Sequence, residues 1–235
     1  MVKPLRLPGI STPAMLALPD GDAVVPGVVV VHDITGLRSD TVRHCVRFAA
    51  EGFAAVAPDL YNGGRPACVV RTLTSLLRGS GEGLAVIEAA RSAIATHPRV
   101  DASRLGIVGF CMGGGFALMA AADGPYAVAG PFYGTVPRSV ERLRGLCPTL
   151  AQFGSQDIAF RHHARRLGRH LETLGVEHEV IVHDGVGHSF MNDHDDSFFS
   201  LGRFTPLRAR YEAAAEADAW ARLLVWFRTH LAAVE

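Results

Sequence analysis

Three residue types that together perform nucleophilic catalysis stand in this chain in a telling order. Cys111 lies in GFCMGGG, Asp157 ends FGSQD, and His188 lies in GVGHSF. A thiol attacks an acyl carbon once a histidine takes its proton, and a carboxylate fixes the tautomer of that histidine. The frame G-x-Cys-x-G is the sequence form of a tight strand-to-helix turn that exposes a nucleophile. Gly109 and Gly113 are the small residues that let the backbone pass close to itself there. A helix beginning at Met112 points its positive end at the sulfur and favours the anion. The Met112 N–H is one expected oxyanion donor, and the Ile34 N–H, in the loop after VVVVHD, is the second.

Each of these residues also has a plainer reading. A free cysteine is most often a small buried hydrophobe, the reading given to Cys45, Cys68 and Cys147. Asp157 could cap the helix HHARRLGRHLETLG, His188 could be a surface histidine, and Asp33 could brace its loop. What favours chemistry is the joint pattern. Cysteine, aspartate and histidine follow three different predicted strands in the order nucleophile, acid, base.

The elements that must position them alternate. Strands are predicted at 26–33, 53–60, 104–110, 126–134, 148–157 and 177–185, from short apolar runs rich in β-branched residues. Helices are predicted from Ser39, as N-cap, to a stop at Gly52; around 69–78; from Glu82 to His97, with Leu84, Ile87 and Ile94 on one face; from 113 to 123; up to Gly175; and through a long C-terminal stretch with Trp220, Leu223, Leu224 and Phe227 on its apolar side. Strict alternation predicts a mostly parallel sheet flanked by helices on both faces, with ligands at the carboxyl ends of the strands. Asp33, Asp59, Cys111, Tyr133, Asp157 and His188 occupy those ends.

The chain has 235 residues, which fits one domain over 1–235. It carries 23 basic and 23 acidic residues, so overall charge gives no case for a nucleic-acid or anionic-membrane partner. No apolar run reaches membrane-spanning length and the N-terminus lacks a leader pattern; the expectation is a cytoplasmic, soluble protein. The four cysteines form no CxxC pair, which removes zinc-knuckle and dithiol readings and fits a reducing compartment. His162, His163 and His170 lack the one-turn spacing of a metal site and are read as solvated. HExxH, the P-loop and GxGxxG are absent, so no metal and no cofactor is expected. No feature specifies an oligomer.

VHDITGL, APDLY, GIVGFCMGGG, FYG, GSQD and GHSFMND, in this order from Gly27 to Asn192, resemble the dienelactone hydrolases. The resemblance implies an α/β-hydrolase fold, a cofactor-free Cys111–His188–Asp157 triad, and hydrolysis of an enol-lactone such as dienelactone to maleylacetate. It further implies a carboxylate that interacts with the thiol during substrate-induced activation, at Asp33 where the best-known members have glutamate. It makes Ile34 the second oxyanion donor and Tyr133 a pocket-lining side chain. Members that act on dienelactone present an arginine after GHSF to grip the substrate carboxylate; Asn192 stands there, and Arg65 or Arg71 would have to supply the charge. Two other functions fit the same residues: esterase, thioesterase or acyl-transfer activity on another substrate, and a redox-sensing or binding role for Cys111.

Overall fold

The computed structural model describes residues 2–62, 66–193 and 204–233, the side chains of 66–69 and 77 excepted. Its centre is an eight-stranded sheet in the order β1-β2-β4-β3-β5-β6-β7-β8. The strands are β1 (Val2–Arg6), β2 (Pro13–Ala17), β3 (Val25–Val31), β4 (Ala54–Pro58), β5 (Val100–Phe110), β6 (Val128–Phe132), β7 (Thr149–Gly154) and β8 (His178–His183). From β4 across to β8 all pairs are parallel. β1 and β2 are antiparallel additions at one edge. This is the mostly parallel sheet expected from the alternation, in the α/β-hydrolase fold that the family resemblance implies.

The helices are α1 (Ser39–Ala50), α2 (Pro66–Arg78), α3 (Glu82–Ala95), α4 (Met112–Asp123), α5 (Arg161–Leu174) and α6 (Ala213–His230), with a 3-10 turn at Val140–Leu143. α1 and α6 share one face, where Phe48 meets Trp220 and Phe227. The other helices pack on the opposite face. None of the described helices is long and apolar enough to cross a membrane.

Apolar runs become buried parallel strands because both faces are covered. Val28 to Val31 and Ala54 to Ala57 are wholly buried. The edge pair β1–β2 has no signal of that kind. β1 is mostly exposed and β2 is only five residues long. Gly52 and Gly175 stop their helices with positive φ, as their positions suggest. Ser39 is already the first helical residue; the cap position falls to Arg38, with no side-chain cap, so the N-cap expectation is corrected by one residue.

Glycine also shapes the sheet surface. A Cβ on Gly106 would lie 2.8 Å from the Phe227 ring, and one on Gly130 2.6 Å from Leu223. β5 and β6 thus present flat patches on which the apolar stripe of α6 seats. Phe227 is wholly buried. Phe227→Ala is expected to cost about 3–5 kcal/mol of unfolding free energy, the range for a fully buried aromatic ring; urea denaturation checks it.

Candidate active site

Cys111 sits between β5 and α4 with φ 53° and ψ −114°. A non-glycine residue at positive φ is strained and persists only when its surroundings fix it. The Cys111 N–H donates to the Phe132 carbonyl at 3.1 Å, and its own carbonyl accepts from the Gly114 N–H at 3.0 Å. The glycines are needed for the reason the motif suggests. A Cβ on Gly109 would sit 2.1 Å from the Gly113 oxygen, and one on Gly113 would sit 2.3 Å from the Val31 oxygen. Both obstacles are backbone, which cannot swing aside. Gly134 repeats the demand from β6, where a Cβ would lie 2.5 Å from the Gly114 carbonyl carbon.

His188 and Asp157 come together as expected. The His188 Nδ1–H donates to Asp157 Oδ2 at 2.6 Å, and both side chains are buried. Asp157 Oδ1 accepts from the Phe160 N–H at 3.1 Å and so braces the turn ahead of α5, whose cap position falls to Phe160 with no side-chain cap rather than to Asp157. The other imidazole nitrogen, Nε2, is buried and makes no hydrogen bond among the described residues, and the Cys111 sulfur is near enough to act electrostatically on the imidazole. Burial alone pushes the His188 imidazole down. The Cys111 sulfur and Asp157 outweigh it and raise it to about 10. Sulfur and carboxylate thus both favour the protonated imidazole against the burial that opposes it.

Backbone bonds clamp the histidine on both sides. Its N–H donates to the Leu207 carbonyl at 2.9 Å, and its carbonyl accepts from the Arg210 N–H at 3.0 Å. A Cβ on Gly187 would lie 1.9 Å from the Arg208 oxygen. The small residue before His188 thus makes room for a second chain segment.

Neither the Ile34 nor the Met112 N–H has an acceptor among the described residues. Both N–H groups are thus unspent donors. Tyr61 donates from its hydroxyl to the Ile34 carbonyl at 3.0 Å, with Met112 Sδ 3.3 Å away. It links the two donor-bearing residues. Its motif, APDLY, carried the signal, but nothing in the spacing assigned it this task.

Tyr133 is wholly buried at φ 39° and packs its ring 4.7 Å from His188 and 5.2 Å from Phe190. Burial first, then Asp33 and Cys111, push its hydroxyl well above the usual phenol range. It is an aromatic wall beside His188.

Asp33 is buried and braces its loop: Oδ1 accepts from the Thr35 N–H at 2.8 Å and the Thr35 hydroxyl at 2.6 Å. Its Oδ2 accepts from Asn192 Nδ2 at 2.6 Å. Asn192 Oδ1 in turn accepts from His44 Nε2 at 3.0 Å. Asn192, at the position of the expected arginine, is thus a buried strut. Arg71 is exposed and pairs with Glu82 at 3.3 Å, and it shares the wall of a cavity of about 280 Å³ with Tyr61. Arg65 lies outside the described residues, as does the Cys68 side chain. Cys45 is buried as expected, whereas Cys147 is half-buried.

The solvated reading of the α5 histidines needs correction. His163 Nδ1 accepts from the Val136 N–H at 2.9 Å, and His170 Nε2 lies 3.1 Å from the Pro137 carbonyl. They fasten the loop after β6; only His162 is exposed. No group of three or more histidine, cysteine, aspartate or glutamate side chains is arranged as metal ligands among the described residues.

A sequence profile of the dienelactone hydrolase family matches residues 12–231. The chain belongs to the dienelactone hydrolase family. A Yersinia pestis protein named "Putative carboxymethylenebutenolidase" is 28% identical over 94% of this chain and 85% of its own. Among solved structures, a dienelactone hydrolase-like promiscuous phosphotriesterase from metagenomic libraries superimposes with a TM-score of 0.82, at 23% identity over 98% of each chain. The dienelactone hydrolase of Anabaena variabilis gives 0.71 at 18% identity, covering 98% of this chain and 97% of its own. At these identities the two structures speak to the fold. Family membership makes this dienelactone hydrolase relative a hydrolase of ester or lactone bonds.

His44 offers a test of the buried network. Burial pushes its imidazole from 6.5 to about 3, despite its bond to Asn192. The unfolded chain takes up this proton below about 6.5 and the folded chain does not until about 3. The contribution is thus present above 6.5 and is lost as pH falls through that window. His44→Gln is expected to flatten the acid side of the stability–pH curve by about one proton, roughly 1.4 kcal/mol per pH unit; urea midpoints from pH 7 down to about 4.5 check it.

Proposed function

We propose that this chain hydrolyses a small lactone or ester, of the enol-lactone type, through a covalent acyl-thioester intermediate on Cys111. The Cys111 sulfur attacks the carbonyl carbon. The carbonyl electron pair moves onto oxygen, which the Ile34 and Met112 N–H groups receive. Collapse expels the enolate or alkoxide, which takes the proton held by His188. In a lactone this leaving oxygen stays tethered to the acyl chain. His188 then removes a proton from water, the hydroxide displaces the sulfur, and the acid is released. Asp157 holds the imidazole in the required tautomer throughout.

The observation that carries this reading is the 2.6 Å His188–Asp157 bond, beside a cysteine on a positive-φ turn whose sulfur acts on the same imidazole. An enolate is a good leaving group that needs little acid assistance, which suits a thiol nucleophile. Enol-lactones and enol esters are therefore expected to outrun alkyl esters.

One observation favours a second substrate class. Both ends of the Asn192 amide bond to the protein, so this position gives a substrate carboxylate no cation. A neutral ester or lactone fits the site without one.

Steady-state hydrolysis of dienelactone beside p-nitrophenyl acetate separates these readings. Cys111→Ala is expected to lose about 10⁴-fold or more on both, the size of a triad lesion. Full activity in that variant would remove Cys111 as the nucleophile. Turnover of the neutral ester alone, still dependent on Cys111, would keep the mechanism and move the substrate. The same variant should lower the His188 pKa, because the sulfur that supports its proton is gone; an NMR titration of the His188 ring against wild type reads this directly.

A further inference from the structure

Resting on Cys111 as the nucleophile, we propose that Asp33, Asn192 and His44 form a positioning relay for the oxyanion hole: the Asp33 carboxylate acts as the anchor of the turn that aims the Ile34 N–H. The role implied by family resemblance, a carboxylate acting on the thiol, is a different one, and the two make opposite predictions.

The argument begins at the loop after β3. Asp33 accepts from the N–H and hydroxyl of Thr35, two residues on, which is an Asx turn reinforced by a second bond. The Asp33 carbonyl accepts from the Gly36 N–H at 3.2 Å, and Gly36 has φ +94°. Tyr61 holds the Ile34 carbonyl from outside the turn. Of the peptide N–H groups at Ile34, Thr35 and Gly36, two are bound within the turn, and that of Ile34 has no acceptor among the described residues. The turn is built to present that one donor.

The second half of the relay fixes the carboxylate itself. An ionised Asp33 Oδ2 can only accept, so Asn192 must face it with its NH₂ group. That places Asn192 Oδ1 toward His44, whose Nε2 must then donate. One charge sets the polarity of the whole chain. His44 lies on α1 and stacks on Phe110, 4.4 Å between ring centroids. Phe110 is the residue before Cys111. The relay therefore ties the oxyanion turn, the loop four residues beyond His188, and the nucleophile strand to one buried helix position.

Two readouts distinguish positioning from action on the sulfur. Acylation by p-nitrophenyl acetate needs the oxyanion hole. Alkylation of Cys111 by iodoacetamide forms no oxyanion and reads only the thiol and His188; peptide mapping by mass spectrometry separates Cys111 from the other thiols. Asp33→Ala and Asn192→Leu are expected to lose about 10²–10³ in the acylation rate, the size of losing one oxyanion donor. Their alkylation rate and its pH profile should stay close to wild type. Asp33→Asn is the decisive variant. Its side-chain oxygen can keep the Asx turn, and the chain beyond can reverse: the new amide donates to Asn192 Oδ1, and Asn192 Nδ2 donates to a His44 nitrogen that now accepts. It is expected to retain acylation within about tenfold of wild type.

The proposal is overturned if Asp33→Asn is as slow as Asp33→Ala, since charge rather than geometry would then matter. It is also overturned if alkylation falls in step with acylation. If either larger substitution prevents folding, Asp33→Asn and the two rates still decide. Retained ester hydrolysis in Cys111→Ala would instead strike at the nucleophile, a separate failure.

Discussion

The site depends on one steric fact: backbone meets backbone at the end of β5. Gly109 lies against Gly113, Gly113 lies against β3, and Gly114 lies against Gly134 at the end of β6. With no Cβ in the way, three parallel strand ends and the first turn of α4 converge within contact distance. At that convergence Cys111 takes its positive φ. The convergence also leaves the Met112 N–H at the helix start without an intrahelical partner, as every helix start must. Strain and available donor arise from the same packing.

Around that turn, electrostatics and burial oppose each other in an ordered way. His188 lies in a dry pocket between the rings of Tyr133 and Phe160, which disfavours charge. Asp157 and the sulfur favour it more strongly. His44 has no carboxylate bonded to its ring and His32 only a distant one, Asp59 at 3.9 Å, and burial lowers both. Four aspartates close to strand ends (Asp33, Asp59, Asp157 and Asp184) take different partners, so residue type alone could not assign their tasks. Asp33 and Asp59 accept from the backbone two residues on, Asp157 takes His188, and Asp184 meets Ser155.

Much of this was legible in the sequence, for physical reasons. Buried parallel strands must be apolar throughout, so VVVV, AAVA and GIVGF stand out. A turn that excludes side chains needs glycine, so GFCMGGG stands out too. The edge pair β1–β2 was missed because five-residue strands at a half-exposed edge need no such pattern. Asn192 was read from its place after GHSF, but its partners are 159 and 148 residues away, and no local spacing encodes them. The segment around Leu207 that holds His188 was silent for a similar reason: it contributes backbone, and a backbone bond leaves no mark on residue type. Tyr61 was visible as part of APDLY, yet only its distance to the Ile34 carbonyl gives it a task.

The turn at Cys111 imposes its demands on glycines and peptide groups, and none on the atom at the tip of residue 111. The scaffold reads the shape of the chain there and is indifferent to whether sulfur or oxygen stands on the Cβ. Architecture and reactivity are therefore inherited separately in this fold. A single-atom exchange at the tip would change the rate law, the leaving-group preference and the sensitivity to oxidants, while every contact that specifies the sheet stays in place.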